Sequence, residues 1–123
     1  MKRALASPFT RTLQTAAAFG LPTVIEPDIR ERGVFVCDIG TPASRLIADW
    51  PHHDFSHMDE FWWNRGCESE SEVRLRAERF RARARGWPDH HGLVVVSHWG
   101  FILALTGQTV KNCGMVFYDP NNA

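Results

Sequence analysis

The chain has no excess of charge of either sign. Its 14 Lys and Arg residues balance 14 Asp and Glu, for a formal net charge of zero. That removes any global electrostatic argument for nucleic acid or for an anionic membrane as a partner. No apolar run is long enough to cross a bilayer. Met1-Lys2-Arg3 is basic, but Ala4-Leu5-Ala6 is too short for a signal-peptide core before Ser7-Pro8. Cys37, Cys67 and Cys113 are odd in number and show no close pairing. This argues against a disulfide framework and for a reducing, cytoplasmic setting. All three read as structural rather than reactive thiols. There is no internal repeat, low-complexity tract or linker. With 123 residues the chain is long enough for one domain, residues 1–123, and too short for two ordinary ones.

What is present is organised around Leu93-Val94-Val95-Val96-Ser97-His98-Trp99-Gly100. A short continuous apolar run, rich in β-branched residues and ending in a turn signal, reads as a buried parallel strand. Phe101 to Leu105 then suits a buried helix. His98 therefore falls at the carboxyl end of a strand, beside the unpaired N–H groups of a helix start. Ligands of open α/β sheets collect there, and a helix N-terminus favours an anion.

The rest of the chain alternates in the same way. Arg3 to Ala6 reads as a short strand, Thr12 to Phe19 as a helix closed by Gly20, and Thr23-Val24-Ile25 as a second strand closed by Pro27. Ile29 to Gly33 reads as a turn, with Val34-Phe35-Val36 a short extended piece. Thr41-Pro42 is a helix entry, Thr at the cap and Pro at the first helical position, and Pro51 stops that helix. His52 to Gly66 has no period and reads as a long surface excursion anchored by aromatics, a segment type that often serves as a lid. The chain has five Trp. Of the adjacent pair Trp62-Trp63, one is expected in the core and one at a pocket or partner surface. Ser69 and Glu72 form a capping box, followed by a helix with the stripe Val73, Ala77, Phe80, Ala84. Arg74, Arg76, Arg79, Arg81, Arg83 and Arg85 occupy its other faces. They read as a solvated face whose arginines meet nearby glutamates, in preference to a phosphate-tracking surface. A last strand is expected near Met115 to Tyr118, then a frayed tail. Alternating strands and helices predict an α/β domain, a three-layer sandwich with a mainly parallel sheet.

Three junctions could meet at one end of such a sheet. Ser7-Pro8-Phe9-Thr10-Arg11 delivers an Arg, Ser97-His98 an imidazole, and Asp28-Ile29-Arg30-Glu31 a carboxyl group. An Arg fork, a His and an acid suit phosphoryl transfer: the fork matches phosphate oxygens, the imidazole holds or receives the group, and the acid protonates the leaving alkoxide.

These residues resemble the histidine phosphatase superfamily, also called phosphoglycerate mutase-like. Ser7 to Ala16 is similar to its "SPLxRTxQTA" motif, and Ser97-His98-Trp99-Gly100 to its "SHxG" motif. Glu31 lies where that family carries its acid. The resemblance covers residues 4 to 118. It implies phosphomonoester hydrolysis through a phosphohistidine, with Arg11 and His98 binding the phosphoryl group, His98 stabilising its charge in the transition state, and Glu31 as general acid. Arg32 and Asp38 are left open as helpers. The chemistry needs no metal or other cofactor. The expected partner is a phosphorylated small molecule or phosphoprotein, with no nucleic acid and no membrane.

One departure matters. The family's nucleophile is a His in an "RHG" motif on its first strand, and this chain has no Arg-His-Gly. The chain starts where that family has its second strand, so it reads as N-terminally incomplete, either truncated or naturally without its nucleophile. It is expected to be inactive or weak alone, or to be a pseudo-phosphatase that binds phosphorylated ligands without turnover. Without that central strand two neighbours are expected to expose unpaired edges inside the sheet, which predicts low stability, aggregation, or a partner strand or homo-oligomer filling the gap. His57 is the best substitute nucleophile. His52, His53, His57 and Cys67 match no closed zinc spacing.

Overall fold

A computed structural model describes residues 2–33, 39–63, 66–112 and 114–121. Three strands, β1 (Arg3–Ala6), β2 (Thr23–Ile25) and β3 (Leu93–Val96), form one open sheet in the order β2-β1-β3. Both pairings are parallel. Ala4, Leu5 and Ala6 lie against Thr23, Val24 and Ile25, and Arg3 to Ala6 against Leu93 to Val96. Four helices flank the sheet: α1 (Thr10–Ala17), α2 (Ala43–Asp49), α3 (Glu70–Arg85) and α4 (Trp99–Thr106). This is a small α/β domain of the expected class.

Side chains alternate between the two faces of a strand, and β1 therefore feeds two cores. Ala6 packs with Phe9, Leu13 and Ala16 around α1, and with Ala43 and Leu46 of α2. Leu5 packs on the opposite face with Val73, Ala77, Phe80 and Ala84 of α3 and with Phe101 and Leu105 of α4. Ala4, Leu5 and Ala6 have no exposed surface. Small residues in a central strand let helices from both layers close down on it.

The structure corrects several expectations. Helix α1 starts two residues earlier than expected, at Thr10. The expected Thr41 cap does not form: Pro42 is the boundary residue of α2. Its orphan donors go to the excursion, Ala43 N–H to the Glu60 carbonyl at 3.0 Å and Ser44 N–H to Glu60 Oε1 at 2.7 Å. The excursion is thus tied down, with Phe55 and Trp62 buried in the α1–α2 core. Trp62 is the inward member of the Trp pair and Trp63 the half-exposed one. The Ser69 cap does form, its Oγ accepting the Glu72 N–H at 3.1 Å.

The last expected strand is absent. Residues 114–118 pair with no strand. Tyr118 instead lies against Arg81, whose Cζ is 5.7 Å from its ring centre, and the Pro120 carbonyl accepts from Arg85 Nε at 2.6 Å. Those two contacts hold the segment on the helical layer, away from the sheet, so the tail is anchored as far as Pro120. Nor is there a gap inside the sheet. Among the described residues β1 and β3 pair directly, and β2 and β3 are the outer strands. Cys67 is exposed, which does not suit a structural thiol. The extended piece Val34-Phe35-Val36, with Cys37, Asp38 and Cys113, lies outside the described residues.

Candidate functional site

Because all three strands are parallel, their carboxyl ends lie along one edge, and each leads into a junction named from the sequence. β3 runs through Ser97 into His98, the boundary residue of α4. The His98 side chain is buried, and its Nε2 lies 2.8 Å from Ser7 Oγ at the end of β1. Ser7 is itself buried and pinned, because its carbonyl accepts the Thr12 hydroxyl at 2.8 Å. Phe9 stands edge-on to the His98 ring at 5.1 Å, and the Arg11 guanidinium stacks over Phe9 at 4.5 Å. Arg11 is exposed and His98 is covered. The two residues share one aromatic ring as a common support.

Glu31 joins them from the other junction. Its Oε1 accepts the Phe101 N–H at 3.2 Å and the Arg32 N–H at 2.9 Å. It thereby caps the first turn of α4, where a carboxylate is favoured by the helix dipole. A Cβ at Gly100 would lie 2.6 Å from Glu31 Oε1 and 3.3 Å from Arg32 Cβ. A larger residue there would push the Glu31 carboxylate aside. The anion-favouring helix start is held by the chain's own carboxylate, which the strand–turn–helix pattern alone did not foretell.

The loop carrying Glu31 is held by a group that sequence reasoning placed on a solvated face. Arg76 is 1% exposed. Its Nη1 donates to the Asp28 and Arg30 carbonyls, both at 2.7 Å, while Nη2 and Nε grip the Glu68 carboxylate at 2.7 and 3.1 Å. Burial pushes the Glu68 carboxyl up. The Arg76 bonds and charge, the Gly33 N–H and Arg30 outweigh it and hold the group below the usual Glu value. Burial, reinforced by Arg76, lowers Arg30 to about 10. Ser97 Oγ donates to the Ile29 carbonyl at 2.6 Å, which ties the β3 junction to the same loop. The signal for Arg76 was in the sequence: it lies three residues after Val73 and four before Phe80, within the apolar stripe. Arg81, four residues after Ala77, is buried for the same reason and donates to the Leu105 carbonyl.

A family model, that of the histidine phosphatase superfamily (branch 1), matches residues 1–115 of the chain. The chain belongs to the histidine phosphatase superfamily. Neither a curated protein nor a solved structure matches it. Membership supports a phosphatase-like function, and the open parallel sheet with helices on both faces is consistent with it.

Within this histidine phosphatase domain the remaining candidates separate. Arg32 Nε donates to the Glu68 carbonyl at 3.0 Å, so Arg32 braces the loop. Asp38 lies outside the described residues. His57 Nε2 is 2.8 Å from the Ile25 carbonyl, at the end of β2. β1 stands between β2 and β3, and two strand spacings amount to about 10 Å. His57 is therefore remote from His98. Trp62 meets Phe9 edge-on at 4.9 Å and donates its indole N–H to the Thr41 carbonyl at 2.8 Å. It links the excursion to the ring that carries Arg11 and His98. Trp99 is 53% exposed beside His98.

Proposed function

We propose that the β1–β3 junction receives the phosphoryl group of a phosphomonoester. The carrying observation is that Arg11 and His98 both touch the Phe9 ring, and that Glu31 holds the helix start that follows His98. Arg11, being exposed, meets the dianion first and supplies a fixed fork of donors. His98 supplies an N–H toward a phosphoryl oxygen once the ligand displaces Ser7 Oγ. Glu31 is the acid held at that helix start, its Oε1 accepting the Phe101 N–H three residues after His98. In full turnover the phosphoryl group passes to a His nitrogen as the P–O bond to the leaving alkoxide breaks. The acid protonates that alkoxide, and water then cleaves the P–N bond. The chain has no Arg-His-Gly to supply that nitrogen, and His57 stands on the wrong side of β1. The proposed role is therefore recognition of a phosphorylated ligand, with hydrolysis weak or absent in the chain alone. Glu31 favours the pseudo-phosphatase reading: its Oε1 serves two backbone N–H groups as an acceptor. The arginines of α3 speak against a phosphate-tracking surface. Arg74 pairs with Glu70, Arg76 with Glu68, Arg83 with Glu26 and Asp28, and Arg85 with the Pro120 carbonyl.

The test is hydrolysis of an aryl phosphate by the chain, with Arg11→Ala and His98→Ala in parallel. No turnover above background is expected. Turnover that disappears in both variants would show that another nucleophile completes the pocket, and would overturn the reading of an inactive site.

A further inference from the structure

Ser7 has no exposed surface, and its neighbours Phe9 and His98 are buried as well. Its backbone is held from two sides. The Ser7 N–H donates to the Val96 carbonyl at 3.2 Å, which continues the β1–β3 pairing, and its carbonyl accepts the Thr12 hydroxyl at 2.8 Å. The side chain is thereby fixed beside His98. Among the described residues Ser7 Oγ has two polar neighbours, the Phe9 N–H at 3.5 Å and His98 Nε2 at 2.8 Å.

A hydroxyl has one proton to donate and two lone pairs with which to accept. The Phe9 N–H can only donate. If His98 Nε2 also carried a proton, Ser7 Oγ would accept from both neighbours, and its own buried proton would have no acceptor. Buried donors are almost always paired. Both the Nε2–H tautomer and the imidazolium meet this objection. The remaining form satisfies every group: the Ser7 hydroxyl donates to a bare Nε2. A neutral imidazole with Nε2 bare carries its proton on Nδ1.

We propose that Ser7 is a positioning residue: it holds His98 as the neutral Nδ1–H tautomer, so that the site takes the phosphoryl group as its protonated monoanion. The P–OH of the ligand replaces the Ser7 hydroxyl as donor to Nε2. Its proton then passes to Nε2, the O–H bond breaking as the N–H bond forms, and the imidazolium donates back to the dianion that is left. The proton that His98 needs in order to act as a donor comes in with the ligand. Sulfate has the same shape and no proton to bring, so its oxygens meet the bare Nε2 lone pair to lone pair. The ligand's part rests on the phosphoryl reading of this pocket, whereas the tautomer rests on Ser7. Charged groups reach this corner from three sides: Arg11 over the Phe9 ring, Glu31 and Arg32 on the loop beside Gly100, and Arg76 against the Phe101 ring. α1 beyond Arg11, β3 and α4 bring none. Comparing phosphate with sulfate at one pH holds these charges constant.

The tautomer is read by long-range proton–nitrogen correlation of the His98 ring, in the isotope-labelled, ligand-free chain at a pH where histidines are neutral. The expected signature is a proton on Nδ1 and a bare Nε2. Ser7→Ala should lose that fixed form, and Ser7→Thr, which keeps the hydroxyl, should retain it, with the amide spectrum reporting that each variant folds. Titrations with inorganic phosphate and with sulfate, followed at the Phe9 amide, should show phosphate bound at least about tenfold more tightly, since a charge-assisted bond is at stake. Ser7→Ala should narrow that preference. Phosphate affinity should fall about tenfold per pH unit above its second pKa, because one proton is carried in. A proton on Nε2 in the ligand-free chain, a fixed tautomer that survives Ser7→Ala, or sulfate bound as tightly as phosphate would overturn the proposal. Failure of both anions to bind, with the tautomer as expected, would instead overturn the phosphoryl reading of the pocket and leave the hold of Ser7 on His98 standing.

Discussion

Replacing Arg76 by Met keeps most of the side-chain volume and removes the charge. The Glu68 carboxylate is then left inside the protein, with 5% of its side chain exposed, without the guanidinium that grips it through two bonds. The Asp28 and Arg30 carbonyls lose their donors too. Breaking one side of a buried pair costs about 3–5 kcal/mol, because the remaining charge is uncompensated. Against a total stability of about 5–15 kcal/mol for a domain, this is a severe loss. With a urea slope of about 2 kcal/mol per molar, the unfolding midpoint should fall by roughly 2 M. Adding Glu68→Gln to Arg76→Met should recover part of that loss, since the buried charge is gone. The sign of this recovery separates charge burial from mere loss of contacts. A loss below about 1 kcal/mol, the range of an exposed ion pair, would refute the claim that Arg76 holds the loop carrying Glu31.

Three further outcomes are expected. Gly100→Ala should drive Glu31 Oε1 off the Phe101 N–H, given the 2.6 Å approach, and cost about 1 kcal/mol in thermal unfolding. Because the Glu68 carboxyl is held below its ordinary value, its contribution to stability is fully present above the unfolded-state pKa of about 4.3. It is lost as pH falls through the lower folded-state value. Urea midpoints measured down to strongly acid pH should show this fall, and Glu68→Gln should flatten it. Arg11→Ala, at an exposed position, should change stability by less than about 0.5 kcal/mol while weakening phosphate binding, a separation visible by comparing melting with titration.

Much of this molecule was legible from local patterns. Leu93 to Val96 is apolar, β-branched and followed by Ser-His, and strand, turn and helix stand where that pattern places them. The Ser69 cap and the apolar stripe of α3 were legible for the same reason: both follow from periodicity within one element. Partners distant in sequence were not. Glu60 caps α2 across the excursion, and Arg76 reaches the Asp28 and Arg30 carbonyls only because α3 packs over the turn after β2. No window of neighbouring residues contains those contacts. Ser7 is a case between the two. Its motif was visible, but its approach to His98 exists only once β1 and β3 are adjacent. Met115 to Tyr118 has the composition of a strand but joins no edge, because contacts with Arg81 and Arg85 hold the tail on the helical layer. Composition states what a segment tolerates, and the surrounding sheet decides whether it pairs.

The central claim is that Arg11 and His98 form one phosphoryl site around Phe9. The direct measurement is a titration with inorganic phosphate, followed by nuclear magnetic resonance of the His98 ring and of the Ser7 and Phe9 amides. The account predicts saturable shifts at all three and affinity at least about tenfold weaker in Arg11→Ala, since a charge-assisted bond is worth about 1.5–3 kcal/mol. Shifts that miss His98, or binding indifferent to Arg11→Ala, would contradict it.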